Sequence, residues 1–251
     1  MPDAPPTAIT NSAEVSPTPP PSAPLPPPGP RNGRPREVLG KGRIEAFSDG
    51  VLAIAITLLV LDLHIPTGLS HAAFHQALLQ IGPRLYAFTL SFCIVGVYWV
   101  AHHLMFTAIR HADRTLLWLN NLFLLFVSAI PFSAAVLGAY PDERIAVILY
   151  GANLAAASSA LQILWNYATR GRRLISPEAP DHLLRAGTVR TGVAIAVYLL
   201  AIALSFVSLT VSRAIYWFMP LSFIVLQGLL DTFFRRGAKK DPGAHGANQG
   251  M

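Results

Sequence analysis

Six long apolar segments, separated by short basic or proline-containing breaks, constrain the fold of this chain more than any other feature. Each reaches or approaches the roughly 20 residues that an α-helix needs to cross the hydrocarbon core of a bilayer. Only 13% of the 251 residues are charged, whereas a soluble domain carries about 25%. We therefore predict an all-α integral membrane protein with six transmembrane helices, at Phe47–His64, Arg84–Ala108, Leu116–Gly138, Arg144–Thr169, Thr188–Leu209 and Arg213–Phe234.

The positive charges alternate from one side of the predicted spans to the other. Of the 19 lysines and arginines, only Arg84, Arg144 and Arg213 fall on one side, and the other 16 flank the spans on the opposite side. Cytoplasmic loops carry an excess of lysine and arginine. The pattern thus predicts a multi-pass protein of the cell membrane with both termini in the cytoplasm. The pI of 9.8 does not indicate nucleic-acid binding, which needs a basic stripe on a soluble domain.

The ends of the chain differ from its middle in composition. Residues 1–40 hold 13 of the 21 prolines, and such a segment cannot bury enough apolar surface to fold. We predict a disordered proline-rich cytoplasmic tail at residues 1–40, a six-helix membrane domain at 41–236 and a second disordered tail at 237–251. A mildly amphipathic stretch at Ser70–Gln80 predicts a short helix near the outer mouth.

The first span carries a motif that resembles a known family. Arg43, Phe47, Ser48 and Asp49 form the pattern Arg-x-x-x-Phe-Ser-Asp, which resembles the first-helix signature of the transmembrane protein 175 family of potassium channels. The resemblance covers about residues 41–170 and continues at four further segments, Tyr98–His103, Leu116–Asn120, Ser128–Phe132 and Leu149–Leu154.

The resemblance implies a potassium-permeable, leak-type cation channel, with proton permeation left open. It also implies a homotetramer in which four copies of the first helix line a central pore without a re-entrant selectivity loop. The family's constricting isoleucine, five residues after the signature aspartate, corresponds to Ile54, and the following pore positions correspond to Thr57 and Leu61. No Thr-Val-Gly-Tyr-Gly segment occurs in the sequence.

The residues themselves are compatible with that assignment. Positions 47, 50, 54, 57 and 61 share one face of a helix, and this stripe is apolar except for one hydroxyl. An apolar ring can gate a pore by dewetting, and a threonine ring can replace part of an ion's hydration shell. Two alternatives remain open. Any buried helix has an apolar stripe, and threonine in a membrane helix often bonds to its own backbone.

The remaining signature residues are predicted to support the pore without binding ions. Asp49 lies within the membrane span, where an unpaired carboxylate is costly, so we expect it to join Arg43 and Ser48 in a polar network. The candidate partners on another helix are His102 and His103, which lie at the same depth. Asp62, at the other end of the first span, is predicted to concentrate cations at the outer mouth.

Other function classes receive little support from the sequence. It shows no nucleophile beside a base and no phosphate-binding loop, so we predict neither an enzyme nor a cofactor. Adjacent histidines lie about 100° apart on a helix and chelate one metal poorly, so no metal site is predicted. The expected partners are potassium ions, the lipid bilayer and further copies of the chain. The alternatives are a secondary transporter, with helix breaks at Pro131 and Pro220, and a membrane scaffold that binds partners through its tail.

Overall fold

The structure, a computed structural model, describes residues 40–223 and is helical outside short connecting segments. Five helical stretches in this part of the chain are long and apolar enough to cross a membrane, as an all-α membrane fold requires. The α-helices are α1 (Lys41–Leu58), α2 (His71–Gln80), α3 (Gly82–Ala108), α4 (Arg114–Ser128), α5 (Ile130–Ala139), α6 (Arg144–Thr169), α7 (Asp181–Leu204) and α8 (Leu209–Tyr216), with 3₁₀ helices at Leu59–Asp62 and Arg170–Arg172.

Two of the predicted span boundaries need comment. The fifth span was predicted as Thr188–Leu209, but α7 runs from Asp181 to Leu204, and Leu209 is the first residue of α8. The prediction was wrong because hydropathy marks only the apolar part of a helix, while Pro180 allows the helix to begin earlier, in polar sequence. The sixth predicted span, Arg213–Phe234, lies within the described residues only as far as Phe223. There α8 is followed by a turn at Trp217 and by helical residues 218–223.

The third span is interrupted near its middle. The helix breaks at Ala129, between α4 and α5, because Pro131 has no amide hydrogen to continue the hydrogen-bond ladder. Asn153 on α6 lies against the break, with its side-chain amide 3.1 Å from the Ser133 hydroxyl. When the side chain of Asn153 is rotated so that its oxygen faces the start of α5, this oxygen accepts a hydrogen bond from the backbone amide of Ile130 at 3.2 Å. The side-chain nitrogen then donates to the Phe126 carbonyl at 3.2 Å. One interhelical side chain thus satisfies the groups that the break exposes.

Helix α6 lies at the centre of the bundle and α1 at its side. α6 packs against α4, α5, α7 and α8, while α1 packs mainly against α3 and α4. The α6–α8 contact is close because Gly151 has no side chain. The Tyr216 ring lies against Gly151, and the Tyr216 hydroxyl donates to the Val147 carbonyl at 2.9 Å.

The connections gather the basic residues at one end of the bundle. The α3–α4 and α6–α7 connections are joined there by backbone hydrogen bonds. The Arg110 amide donates to the Leu174 carbonyl at 2.8 Å, and the Ser176 amide donates to the Ala108 carbonyl at 2.9 Å. At the other end, Arg213 donates to the Pro141 carbonyl at 2.8 Å. Arg144 donates to the Ser205 carbonyl there at 3.2 Å. Among the described residues, Arg110 and the α6–α7 connection therefore lie at one end of the fold, and Arg144 and Arg213 lie at the opposite end.

Candidate functional site

Helix α1 has one buried and one exposed face. The buried face carries Ile44, Ser48, Leu52 and Ala55, at the spacing of a helix packed along its length. The exposed face is the predicted stripe: Phe47 is 58% exposed, Ile54 59% and Leu61 70%, and Gly50 and Thr57 are exposed with them. The structure thus brings all five stripe residues together on a surface that no part of residues 40–223 covers.

A polar network anchors the buried face of α1. The side-chain nitrogen of Asn120 donates to the Ser48 hydroxyl at 2.9 Å. The Asn120 oxygen lies 2.9 Å from Nε2 of His102, so this pairing places the imidazole proton on Nε2. All three side chains are buried. The network therefore joins α1, α3 and α4 through neutral hydrogen bonds, and removing one member would leave its partners buried and unpaired.

Aromatic rings enclose the histidine of this network. The His102 ring stacks on Phe106 with centroids 4.3 Å apart, and Phe123 covers it at 5.7 Å. Sequence reasoning had grouped His102 with His103, but the two side chains lie in different surroundings. His103 is exposed and stacks on Trp99 with centroids 6.0 Å apart.

The partner of Asp49 is Trp99. The indole nitrogen of Trp99 donates to Oδ1 of Asp49 at 3.0 Å, whereas the sequence had suggested His102 or His103. Trp99 lies one helical turn before His103 and so reaches the same depth of α1. The chemistry of tryptophan could have identified this partner from the sequence, since an indole N–H in an apolar setting needs a hydrogen-bond acceptor.

Arg43 and Phe47 lie on the exposed side of the signature. They line a cavity of about 550 Å³ between α1 and α4, together with Arg114, Trp118 and Asn121. We had expected Arg43 to join the network of Ser48. The structure instead places Arg43 in this cavity, near the basic end of the bundle. Long basic side chains at helix ends commonly keep their charge near water in this way.

The outer part of α1 changes geometry. After Leu58 the helix tightens into a 3₁₀ turn at Leu59–Asp62, which contains Leu61. The Thr57 hydroxyl donates to the Ile54 carbonyl at 2.9 Å, which is the backbone bond anticipated as an alternative role. Asp62 is half-buried at the end of this turn. Within residues 40–223, no group of three or more His, Cys, Asp or Glu is arranged to hold a metal ion.

Comparisons with known proteins agree with this architecture. A family model described as the endosomal/lysosomal potassium channel TMEM175 matches residues 43–131, which include most of α1 and the Ser48–Asn120–His102 network. A potassium channel of Streptomyces collinus is 36% identical over 184 residues, covering 72% of this chain and 89% of that protein. The human endosomal/lysosomal proton channel TMEM175 is 35% identical over 144 residues, which is 53% of this chain and 29% of the human protein.

A solved structure agrees as well. The crystal structure of a lysosomal potassium-selective channel TMEM175 homolog from Chamaesiphon minutus superposes with a TM-score of 0.65 at 34% identity, covering 74% of this chain and 96% of that one. Sequence identity above 30% over most of a relative, the family model and the shared helical fold agree on one assignment. The chain belongs to the TMEM175 family of channels.

Proposed function

We propose that this protein is a potassium-permeable, leak-type channel of the cell membrane that assembles as a homotetramer around α1. Its relatives are named as ion channels, which supports this function over the secondary-transporter alternative and over an enzyme. The observation that carries the proposal is the exposed stripe of α1. It lies opposite a face that buried hydrogen bonds hold in one orientation.

In the proposed pore, Ile54 forms the constriction, with Thr57 and Leu61 as successive rings outward. Four apolar isoleucine side chains would oppose wetting and so limit conduction. Phe47 and Arg43 would lie at the inner entrance, and Ser48 and Asp49 would hold α1 in register through Asn120 and Trp99. The gathering of basic residues at one bundle end supports an orientation with both termini in the cytoplasm.

Proton permeation is a second candidate property of the same pore. It is favoured by the human relative, which is named as a proton channel. A proton current through the proposed pore would need no further site, because water that enters past a wetted constriction can conduct protons.

A matched pair of isoleucines tests the assignment of the pore. Ile54 on α1 and Ile163 on α6 are 59% and 50% exposed, and only Ile54 lies on the proposed pore. We expect Ile54→Asn to raise single-channel conductance in planar bilayers and to weaken the preference for potassium over sodium. A tenfold rise corresponds to lowering the barrier by about 1.4 kcal/mol.

Ile163→Asn is the control for this experiment. It introduces the same polar group at a similarly exposed position, so its effects on insertion and folding should match those of Ile54→Asn. Equal currents from wild type, Ile54→Asn and Ile163→Asn would show that Ile54 faces lipid. The absence of any current from reconstituted wild-type protein would instead contradict the channel function itself.

A further inference from the structure

Helix α2 carries two histidines that lie one helical turn apart. His71 and His75 are separated by four positions, and both belong to α2. Residues at this separation share one side of a helix, with Cβ atoms about 5–6 Å apart. Both histidines are exposed within the described part of the chain. Two imidazoles at this spacing can converge on one metal ion, whereas the adjacent His102 and His103 point in different directions.

The first turn of α2, which contains His71, is fixed by a helix cap. The Ser70 hydroxyl accepts from the Ala73 amide at 3.4 Å, and the Phe74 amide donates to the Ser70 carbonyl at 2.8 Å. The ring of His75 contacts the Phe74 ring edge-on, with centroids 6.0 Å apart. The spacing that chelation requires is therefore set by a capped helix.

The segment that contains the pair has no fixed charge that would repel a cation. From Leu63 to Pro83 the chain has no lysine, arginine, aspartate or glutamate, and Asp62 precedes this segment. Arg84 follows it and packs against α5. A Cβ added at Gly138 on α5 would lie 3.3 Å from the Cγ of Arg84. The nearest cation in sequence thus has its side-chain stem on a different helix.

The other two arginines at this end of the bundle have contacts of their own. Arg213 lies 3.7 Å from Asp142, and Arg144 lies over the Phe206 ring, 5.4 Å from its centre. Both interactions belong to the connections between α5 and α6 and between α7 and α8. These two charges are therefore engaged away from the histidine pair.

We propose that His71 and His75 bind one late transition-metal ion, such as Cu²⁺ or Zn²⁺, through one ring nitrogen each. Imidazole nitrogen is a good ligand for these ions, and Cu²⁺ binds most tightly among the divalent ions of the series. Residues 40–223 contain no group of three or more His, Cys, Asp or Glu arranged for a metal. The site therefore has two protein ligands, and water occupies the remaining coordination positions.

Metal binding would stabilise α2 itself. Every residue of α2 is exposed or half-buried, so packing holds this helix less firmly than the buried ones. An ion that bridges one turn binds the folded helix more tightly than the unfolded segment, and so favours the folded form. At a free metal concentration of about ten times the dissociation constant, amide hydrogen exchange in α2 should slow about tenfold.

The test titrates Cu²⁺ into the full-length protein, purified in detergent through a tag that contains no histidine. We expect one Cu²⁺ per chain at the tightest site, with two nitrogen ligands detected by electron paramagnetic resonance. The matched variant combines His75→Gln with Gln76→His. It keeps the number of histidines but moves one of them about 100° around the helix. The affinity should therefore fall about tenfold or more.

Further measurements make the outcome decisive. Cu²⁺ should slow amide exchange of α2 in the wild type but not in the exchanged variant. His182→Ala, which removes an exposed histidine of α7, should leave the tightest site unchanged. Should the exchanged variant not fold, His71→Asn removes the other ligand and should weaken binding to a similar extent.

Two results would overturn the proposal. One is equal Cu²⁺ affinity in the wild type and in a folded variant of the pair, which would locate the metal elsewhere. The other is one Cu²⁺ shared by several chains, which would indicate ligands from more than one copy. Because the readouts are bound metal and helix protection, a failure of channel activity would leave this test unaffected.

Discussion

Helices α1 and α6 are both long and apolar, yet the bundle buries them to different extents. In the most apolar stretch of α6, 56% of the residues are buried, whereas the figure for α1 is 28%. Both helices carry hydrogen bonds on their buried faces, Ser48 on α1 and Ser158 on α6, but the exposed face of α1 carries the large apolar side chains of the stripe. α6 is therefore stabilised by its own chain, while α1 needs lipid or further subunits to cover its apolar surface.

This contrast explains how a sequence can fix the orientation of a helix without burying most of it. In α6, close packing around Gly151 acts together with buried hydrogen bonds such as the one between Ser158 and Tyr98 at 2.8 Å. In α1, a few directional hydrogen bonds to Asn120 and Trp99 perform the same role, since buried polar groups must find their partners. The first two predictions that follow, on Asn120 and on Gly151 and Gly50, separate packing from polar anchoring, and two smaller effects are predicted at the ends of the bundle.

Asn120→Leu should have the largest effect on stability. It leaves the Ser48 hydroxyl and the Nε2 hydrogen of His102 buried without hydrogen-bond partners. The loss lowers the free energy of unfolding by about 2–4 kcal/mol for the two groups together. We expect a lower unfolding temperature in detergent and less assembled oligomer on size-exclusion chromatography. Asn121→Leu on the exposed side of the same helix should change little. Similar losses in both variants would show that α1 is not held by this network.

Gly151→Ala should destabilise the core of α6 by about 1–3 kcal/mol, the usual range for overpacking. An added Cβ would overlap the Tyr216 hydroxyl and come within 2.8 Å of Ile202. On α1, a Cβ at Gly50 meets nothing within 4 Å, so Gly50→Ala should leave the unfolding temperature of the protomer unchanged or raise it. Both are measured by thermal unfolding in detergent.

The Gly50→Ala variant also tests whether the exposed face of α1 contacts other subunits. If four copies of α1 meet, the methyl group of Gly50→Ala lies close to that contact. Gly96→Ala on α3, where a Cβ is equally free, serves as the control. Loss of oligomer in Gly50→Ala but not in Gly96→Ala would locate a subunit contact on the exposed face of α1. Stability of Gly151→Ala equal to wild type would contradict the close α6–α8 packing.

We expect pH to have a smaller effect on the stability of the protein, through Asp113 at the basic end of the bundle. Asp113 caps α4 through the Leu116 amide at 2.9 Å and accepts from the Tyr167 hydroxyl at 2.6 Å. Burial alone would raise the pKa of Asp113, but these hydrogen bonds and the positive charge of Arg173 outweigh it and hold the pKa below its ordinary value. The stabilisation from the charged form is therefore complete above the ordinary aspartate range and is lost as the pH falls through the lowered pKa.

Asp113→Asn tests this dependence, because asparagine is an equally good helix cap without a titrating charge. We expect the unfolding temperature of the wild type to fall more steeply than that of the variant as the pH drops below about 4. The two curves should differ by a constant amount at neutral pH. Parallel curves over the whole acidic range would show that the Asp113 carboxylate adds nothing beyond the cap.

The smallest effect concerns the outer end of α1. Asp62 is half-buried at the end of the 3₁₀ turn, and we predict that its charge concentrates cations there. Asp62→Asn should lower single-channel conductance modestly in dilute salt and leave it unchanged in concentrated salt, because solvent screens exposed charges. A change that is independent of salt would assign Asp62 a structural role instead.

Much of this architecture could be predicted from the sequence, because hydropathy and charge report directly on membrane spans. The exposed stripe of α1 was correctly identified as one face, since helical periodicity fixes which residues share a side. The partner of Asp49 could not be predicted, because many side chains lie at one depth and only the packing of α1 on α3 selects Trp99. The start of α7 at Asp181 was missed since its first turns lie outside the apolar segment.

The hydrogen bond of Thr57 has a consequence for the kind of ion that the proposed pore would favour. A hydroxyl has a single proton, and here that proton points along the helix to the Ile54 carbonyl. The oxygen can therefore present only lone pairs toward the exposed side, so it acts there as a pure acceptor, much like a carbonyl group. In a ring of four such oxygens, a dehydrating cation would meet solvating dipoles already facing it, whereas a halide ion would find no proton to receive it.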